Sequence, residues 1–264
     1  MRNLKVRSFG YVNWLGLWTL SAREMQRFLK VYSQTIIAPV ITTLLFVSVF
    51  SLVFQERLDA AEKADYITFL IPGLVMMSLI QNAFSNTSFS IMIAKIQGNI
   101  VDTLMAPLSS KELMIGYAAG GVARGIIVSI ITMGIVVVYK GIDIFSIFWS
   151  CYFILAGSIV FSLLGIVAGV WAKKFDHLET FANFLIMPLS FLSGTFYSRD
   201  VLPVFWQKVV MFNPFYYLID GFRYGVVGHS GCPLFVGGVV ALVCIIAVSV
   251  LCLRMLYTGY ELKN

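Results

Sequence analysis

The sequence predicts an all-α integral membrane protein with six transmembrane helices, a re-entrant helical segment between the fifth and sixth, and an amphipathic interfacial helix at the N-terminus. Three observations carry that expectation. Hydrophobic residues make up 59% of the 264 and the mean hydropathy is +0.88, far outside the composition of soluble domains. Six apolar stretches of roughly 20 residues each are long enough to cross the hydrocarbon layer. Finally, residues 185–224 are apolar enough for lipid but are broken by Pro188, Gly194, Arg199, Asp200, Pro203, Lys208, Pro214, Asp220 and Arg223. A lipid-facing helix must satisfy its backbone internally and hide its charges, so this stretch needs other helices packed around it.

Residues 14–32 read as the amphipathic helix. Trp14, Trp18, Met25, Phe28, Leu29 and Tyr32 recur on one side at a period near ~3.6, with Arg23, Arg27 and Lys30 on the other. The pattern suits a cytoplasmic headgroup layer, and it suits an ordinary packed helix as well. The first thirty residues lack the short apolar core and small-residue cleavage site of a secretory signal, so the first span is expected to anchor the mature chain. Spans are expected over residues 33–54, 66–86, 113–138, 145–171, 180–196 and 234–253. The piece 203–228 is left re-entrant, because a full crossing there would put Lys208 or Asp220 in lipid. Ser109 with Glu112 has capping-box spacing at the start of the third span, and Asp176 with Glu179 puts acids at the start of the fifth.

Lys and Arg counts orient the bundle. Twelve basic residues fall on the side of the N-terminus, the second-to-third loop, the fourth-to-fifth loop and the C-terminus, six on the other side, and Arg124 lies within a span. The first external loop, QERLDAAEKAD, holds four acids against two bases. Both termini are therefore expected in the cytoplasm. The net charge of +6 follows this topology and is not gathered into an aromatic-laced patch, which argues against nucleic acid as a partner.

Four features are candidates for function. The loop AKIQGNIVDTLMAPLSSKEL carries Ile100, Leu104 and Met105 on a short helical stretch closed by Pro107, either to receive force from a partner or as a plain interfacial loop. Arg124 sits about 16 Å from the start of its span, where a guanidinium needs water, an acid such as Asp220, or backbone carbonyls. Gly116, Gly120, Gly121 and Gly125 around it allow close helix approach. Gln81, Asn82 and Asn86, with Ser78 and Ser85, give the second span a polar face that can line a pathway or bond neighbouring helices. The aromatics of the broken region, Phe191 and Phe196 among them, can seal the outer end or form an interfacial belt; Asp220 and Arg223 share that region.

The absences are equally informative. Apart from Arg124 the six spans hold no ionisable Asp, Glu, Lys, Arg or His, which disfavours a proton relay. No GxxxxGK[ST] loop is present, so any ATP hydrolysis must sit on another polypeptide. No Ser/His/Asp arrangement marks a catalytic site, and Cys151, Cys232, Cys244 and Cys252 form no CxxC pair, leaving no expected metal site.

With these residues in view, the chain resembles the ATP-binding-cassette type-2 permeases, in particular the YadH- and NodJ-like branch of exporters. The resemblance rests on FLIPGLVMMS from Phe69, NIVDTLMAPLSSKEL from Asn99, GYAAGGVARG from Gly116, FLSGTFYSRDVLP from Phe191 and NPFYYLIDGFRYG from Asn213. It implies one permease domain over 1–264: a connecting helix at 1–32, a six-span bundle at 33–253 and a cytoplasmic tail at 254–264. It also implies a coupling helix containing Gln97, Gly98, Asn99, Ile100, Asp102, Leu104 and Met105, and re-entrant external helices at 201–228. The implied assembly is a homodimer in the bacterial inner membrane with two copies of a separate ATPase that carry the ATP and Mg; no cofactor is expected on this chain. The implied activity is outward movement of a hydrophobic, lipid-like or saccharide substrate. An ion-coupled carrier and a non-transport membrane scaffold are the alternatives; the first predicts gradient-driven transport by the chain alone, the second no substrate-stimulated ATP turnover with any partner.

Overall fold

The computed structural model describes residues 11–53, 60–141 and 143–261, with side chains from 66 onward in the second of these segments and excepting that of Lys140. The charges of residues 1–10, of the loop 55–65 and of Lys263, which entered the orientation count, lie outside these described parts, as does the end of the first span at Phe54.

Among the described residues the chain is helical throughout, with no strand. Helix α1 is Trp14–Leu29; a π-helical turn, Ser33–Ile37, leads from it into α2, Ala38–Val53. Helix α3 is Ala60–Ile96, α4 is Ile100–Met105, α5 is Ser110–Lys140 and α6 is Ile147–Trp171. The broken region comprises α7 (Phe175–Phe181), a second π-helical turn (Ala182–Ile186), α8 (Met187–Leu192), a 3₁₀ turn (Arg199–Val201), α9 (Val204–Met211) and α10 (Pro214–Val227). Helix α11, Leu234–Thr258, ends the fold.

Among the described residues, five helices are long and apolar enough to cross a membrane: Ser33–Val53, Tyr66–Ile96, Ser110–Tyr139, Ile147–Trp171 and Leu234–Thr258. Three of them run past the expected ends. The second continues ten residues beyond Asn86 because residues of Thr87–Ile96 pack on α6 and α1, and the charge it contains, Lys95, donates to the Val170 and Ala172 carbonyls at the end of α6. The expected fifth span is not among the five. Its residues form the end of α7, the π turn and α8, and the helix stops at Leu192, where Gly194 takes a left-handed φ of 74° that ends helices.

Local chemistry explains the boundaries. Ser109 and Glu112 make a full capping box at the head of α5, and Asn213 caps α10 with Pro214 at its first position. Gly141, Gly228 and Gly259 end α5, α10 and α11 in the left-handed conformation.

Helix α3 is the axis of the fold: its apolar window is 83% buried, against 17% for the first span and 11% for α11. Its long contact is with α6 through a seam of small residues. A Cβ on Gly165 would collide with Thr87 Oγ1 and the Phe84 carbonyl, and one on Gly169 would lie 2.9 Å from the Ser88 carbonyl. At that contact Thr87 donates a hydrogen bond to the Ser162 carbonyl at 2.8 Å. Without a hydrophobic drive between helices in lipid, such close packing and interhelical hydrogen bonding hold a bundle together.

Helix α1 is set on the bundle by a stripe that lies between its aromatic and its basic faces. Its buried face is Leu20, Ser21, Glu24 and Phe28, set on α5, while Trp14 and Trp18 are exposed. The glycines of α5 make room for this contact: a Cβ on Gly116 would meet Leu20 and one on Gly120 would meet Glu24. Arg27, expected on the solvated side, turns inward, because Glu24 and the Asn86 carbonyl offer acceptors inside the bundle.

Candidate functional site

A groove of about 330 Å³ runs between α2 and α3. Gln34, Thr42, Ser78, Gln81, Asn82 and Ser85 give it a polar wall, and Phe46, Leu74 and Met77 an apolar one. Ser78, Asn82 and Ser85 reach it together because they recur at helical spacing on α3. No ionisable side chain lines it, so it offers hydrogen bonds and apolar contact but no fixed charge.

Asn82 is held rigidly in that wall. Its Nδ2 donates to the Ser78 carbonyl at 2.9 Å, and its Oδ1 accepts from Arg124 Nη2 at 2.8 Å. Arg124 in turn donates from Nε to the Thr35 carbonyl, 3.2 Å away in the first π turn. Two of the expected pathway residues, Gln81 and Asn82, therefore line the groove, and Arg124 stands behind it. Asn86 does not line it: it is 1% exposed and accepts from Arg27. The expected option of an Arg124–Asp220 pair is not what forms. Asp220 lies three residues from Arg223 on α10 and pairs with it at 3.5 Å, while Arg124 takes the acceptors nearest to it on α3 and the π turn.

At the end of the bundle away from α4, the expected gate residues fall into two groups. Phe191 stacks on Phe196 with centroids 5.4 Å apart, and Phe50 of α2 meets Phe196 at the same separation. Asp220 and Arg223 are instead buried, each 4% exposed. Arg223 donates to the Phe69 carbonyl at 3.2 Å and the Gly194 carbonyl at 2.6 Å, and its guanidinium lies 3.8 Å from the Phe69 ring centroid. Asp220 accepts from the backbone of Gly231 and Cys232 at 3.2 and 3.1 Å. The pair is thus a knot that ties α3, the Gly194 turn and the loop before α11 to α10.

At the opposite end, the expected coupling stretch is helical only over Ile100–Met105. Gln97, Gly98 and Asn99 form the turn before it, with Gly98 at φ 76°. Ile100 and Thr103 point inward, whereas Val101, Asp102, Leu104 and Met105 are exposed, Met105 by 80%. A hollow of about 310 Å³ separates α4 from α1, with Thr19, Arg23 and Asp102 among its lining. Asn13 fastens the head of α1 here, donating from its backbone to Glu112 at 2.5 Å and from Nδ2 to the Pro107 carbonyl at 3.0 Å.

Sequence reasoning did not single out Glu24, the most deeply buried acid among the described residues at 1% exposure. Its carboxylate accepts from Ser90 at 2.5 Å and pairs with Arg23 at 3.3 Å and Arg27 at 3.4 Å. A signal was present: Leu20, Glu24 and Phe28 fall at i, i+4 and i+8, so the acid lies on an apolar stripe.

The profile of the ABC-2 type transporter family matches residues 16–227. The chain belongs to the ABC-2 type transporter family. It is 35% identical over 254 residues to the inner membrane transport permease YadH of Escherichia coli K12, covering 96% of this chain and 99% of that protein. It is 23% identical over 247 residues to nodulation protein J of Rhizobium leguminosarum bv. viciae, covering 92% and 90% of the two. An ABC-2 permease is the membrane subunit of a transporter and implies a partner ATPase subunit. With the five apolar helices, this makes the chain a multi-pass protein of the inner membrane.

Proposed function

We propose that this chain is the permease half of an ATP-driven exporter, that two copies enclose the path, and that a separate ATPase docks beneath each copy. The observation that carries the proposal is the uncharged polar groove between α2 and α3. A wall of amides and hydroxyls facing lipid is costly, so a second copy or a water-filled path must cover it. The exposed apolar and acidic residues of α4, Asp102, Leu104 and Met105, are the surface offered to the ATPase, which supplies the ATP and Mg site. ATP-driven approach of the two motors pushes α4 and tilts the bundle, moving substrate past Gln81 and Asn82 toward the aromatic closure at Phe191 and Phe196. The groove's chemistry suits a hydrophobic, lipid-like or saccharide substrate.

In this reading α7, the π turn and α8 form a sixth crossing. Eighteen helical residues at ~1.5 Å each span about 27 Å, close to the ~30 Å hydrocarbon layer. Helices α9 and α10 then dip back from the outer side, and both termini are cytoplasmic. The test is reconstitution of the chain with its ATPase in vesicles. Substrate-stimulated ATP turnover and ATP-dependent transport are expected; gradient-driven transport by the chain alone would contradict the reading.

A further inference from the structure

At the end of the bundle away from α4, a pocket of about 530 Å³ opens beside the Asp220–Arg223 pair, between α3, the 3₁₀ turn, α10 and the loop before α11. Its size falls within the ~300–1,000 Å³ usual for small-molecule sites. Two of the four charges in its lining are already spent on each other and on the backbone. Asp220 accepts from Arg223 and from the Gly231 and Cys232 amides, and Arg223 also donates to the Phe69 and Gly194 carbonyls.

Tyr216 and Arg199, in the same lining, are not spent. Tyr216 is 1% exposed, and its hydroxyl is buried without a hydrogen-bond partner. Gly231 is bare beside it; a Cβ there would stand 2.8 Å from Oη. Arg199 lies beside Tyr216 without completing a hydrogen bond to it, and its Nε is likewise buried and unpartnered. Arg199 belongs to none of the ion pairs among the described residues, and Asp200, the next residue, is exposed. Buried donors are almost always paired in folded proteins, so two orphans in one lining call for an acceptor from outside the chain. A neutral acceptor such as a sugar hydroxyl would leave the guanidinium uncompensated. An oxyanion serves both donors, because the guanidinium fork matches its oxygens and a hydroxyl gives it a short, charge-assisted bond.

We infer that this pocket is a binding site for a phosphate group, held by Arg199 and Tyr216, and that the headgroup of a bilayer phospholipid supplies it. Free phosphate is the other source of the same chemistry, and helix α9 favours the lipid. It begins at Val204, three residues after the 3₁₀ turn that carries Arg199, and Val204, Phe205, Trp206 and Phe212 are all exposed. Apolar and aromatic side chains bared in this way settle at the boundary between headgroups and acyl chains, the depth at which a neighbouring pocket meets phosphate. A phosphate there ties the 3₁₀ turn to α10, since one donor comes from each. The functional reading above supplies only the side of the membrane, the outer one; the site itself makes no use of an ATPase.

The test uses the full chain, purified in uncharged detergent and freed of lipid, with no ATPase present. Dihexanoyl phosphatidylglycerol is titrated in by calorimetry, and the thermal midpoint is followed alongside. Saturable binding and a raised midpoint are expected for the parent chain. Tyr216→Phe deletes only the hydroxyl and keeps the ring in place; Arg199→Gln removes the charge. Each is expected to bind about tenfold or more weakly, the loss of one charge-assisted hydrogen bond. Dihexanoylglycerol, with the same chains and no phosphate, is expected not to bind. An equal concentration of sodium phosphate separates the two sources. Lipid that stays bound assigns the site to the headgroup, whereas lipid that is displaced supports the phosphate site and overturns its lipid source. Binding of dihexanoylglycerol as tight as that of the phospholipid, undiminished binding in Tyr216→Phe, or no saturable binding of either phosphate compound would overturn the inference. None of these results bears on the functional reading, and a chain that recruits no ATPase leaves them standing.

Discussion

Arg124 and Arg223 are both guanidiniums inside an apolar bundle, yet their surroundings differ in kind. Arg223 faces Asp220, so removing it strands a buried carboxylate; Arg124 faces only a neutral amide and a carbonyl. Losing one member of a buried ion pair costs about 3–5 kcal/mol, whereas orphaning neutral acceptors costs about 1–3 kcal/mol. Arg223→Leu is therefore expected to lower the thermal midpoint of the purified protein more than Arg124→Leu, and a scan showing the reverse order would contradict this assignment. Arg124→Leu is expected to act mainly on transport, because it frees the Asn82 amide in the groove wall. That Arg124 lies in the interior of a long apolar helix was legible from the sequence. Its partner was not, because no local pattern reveals which of several helices a long side chain meets. Glu24 was missed for a related reason: an acid between two arginines on an amphipathic helix reads as a solvated charge until α5, stripped of side chains at Gly116 and Gly120, is seen to swallow that face.

Capping chemistry and periodicity made the helices readable as elements, and the capping box at Ser109 and Glu112 was legible to the residue. What local signals could not supply was the end of a helix whose termination depends on packing. Nothing in Thr87–Ile96 says that α3 continues; its burial against α6 and α1 does. The glycines of α6 show the same dependence, since only the seam reveals that Gly165 is needed. Gly165→Leu would drive a side chain into Thr87 and the Phe84 carbonyl and is expected to abolish folded yield, measured as monodisperse protein by size-exclusion chromatography. Helix α4 makes the contrasting case. Leu104→Arg changes an exposed position, so an unaltered elution profile together with loss of the co-purifying ATPase is expected. Ile100→Asp, at a buried position on the same helix, is expected to lose the folded protein itself.

For the whole molecule, composition was enough to establish a helical membrane protein, and the count of crossings is the part that composition could not decide. The stretch Phe175–Leu192 carries Asp176, His177, Glu179 and Asn183 in its first half, which keeps it below the apolarity of the other spans. Membrane-impermeant maleimide labelling of a cysteine-free background tests the six-crossing reading directly. Lys174→Cys is expected to react only from the cytoplasmic side and Ser198→Cys only from the outside; labelling of both from one side would leave five crossings. The larger claim is that a motor pushes on α4 from one side of the membrane while the α2–α3 groove carries substrate through it. The most direct measurement is purification of the tagged chain from its native host in mild detergent, with identification of co-purifying proteins and assay of ATP turnover. A stoichiometric P-loop ATPase, lost when Asp102 and Leu104 are replaced, is the predicted result. Recovery of the chain without any ATPase, together with gradient-driven uptake when it is reconstituted alone, would contradict the account.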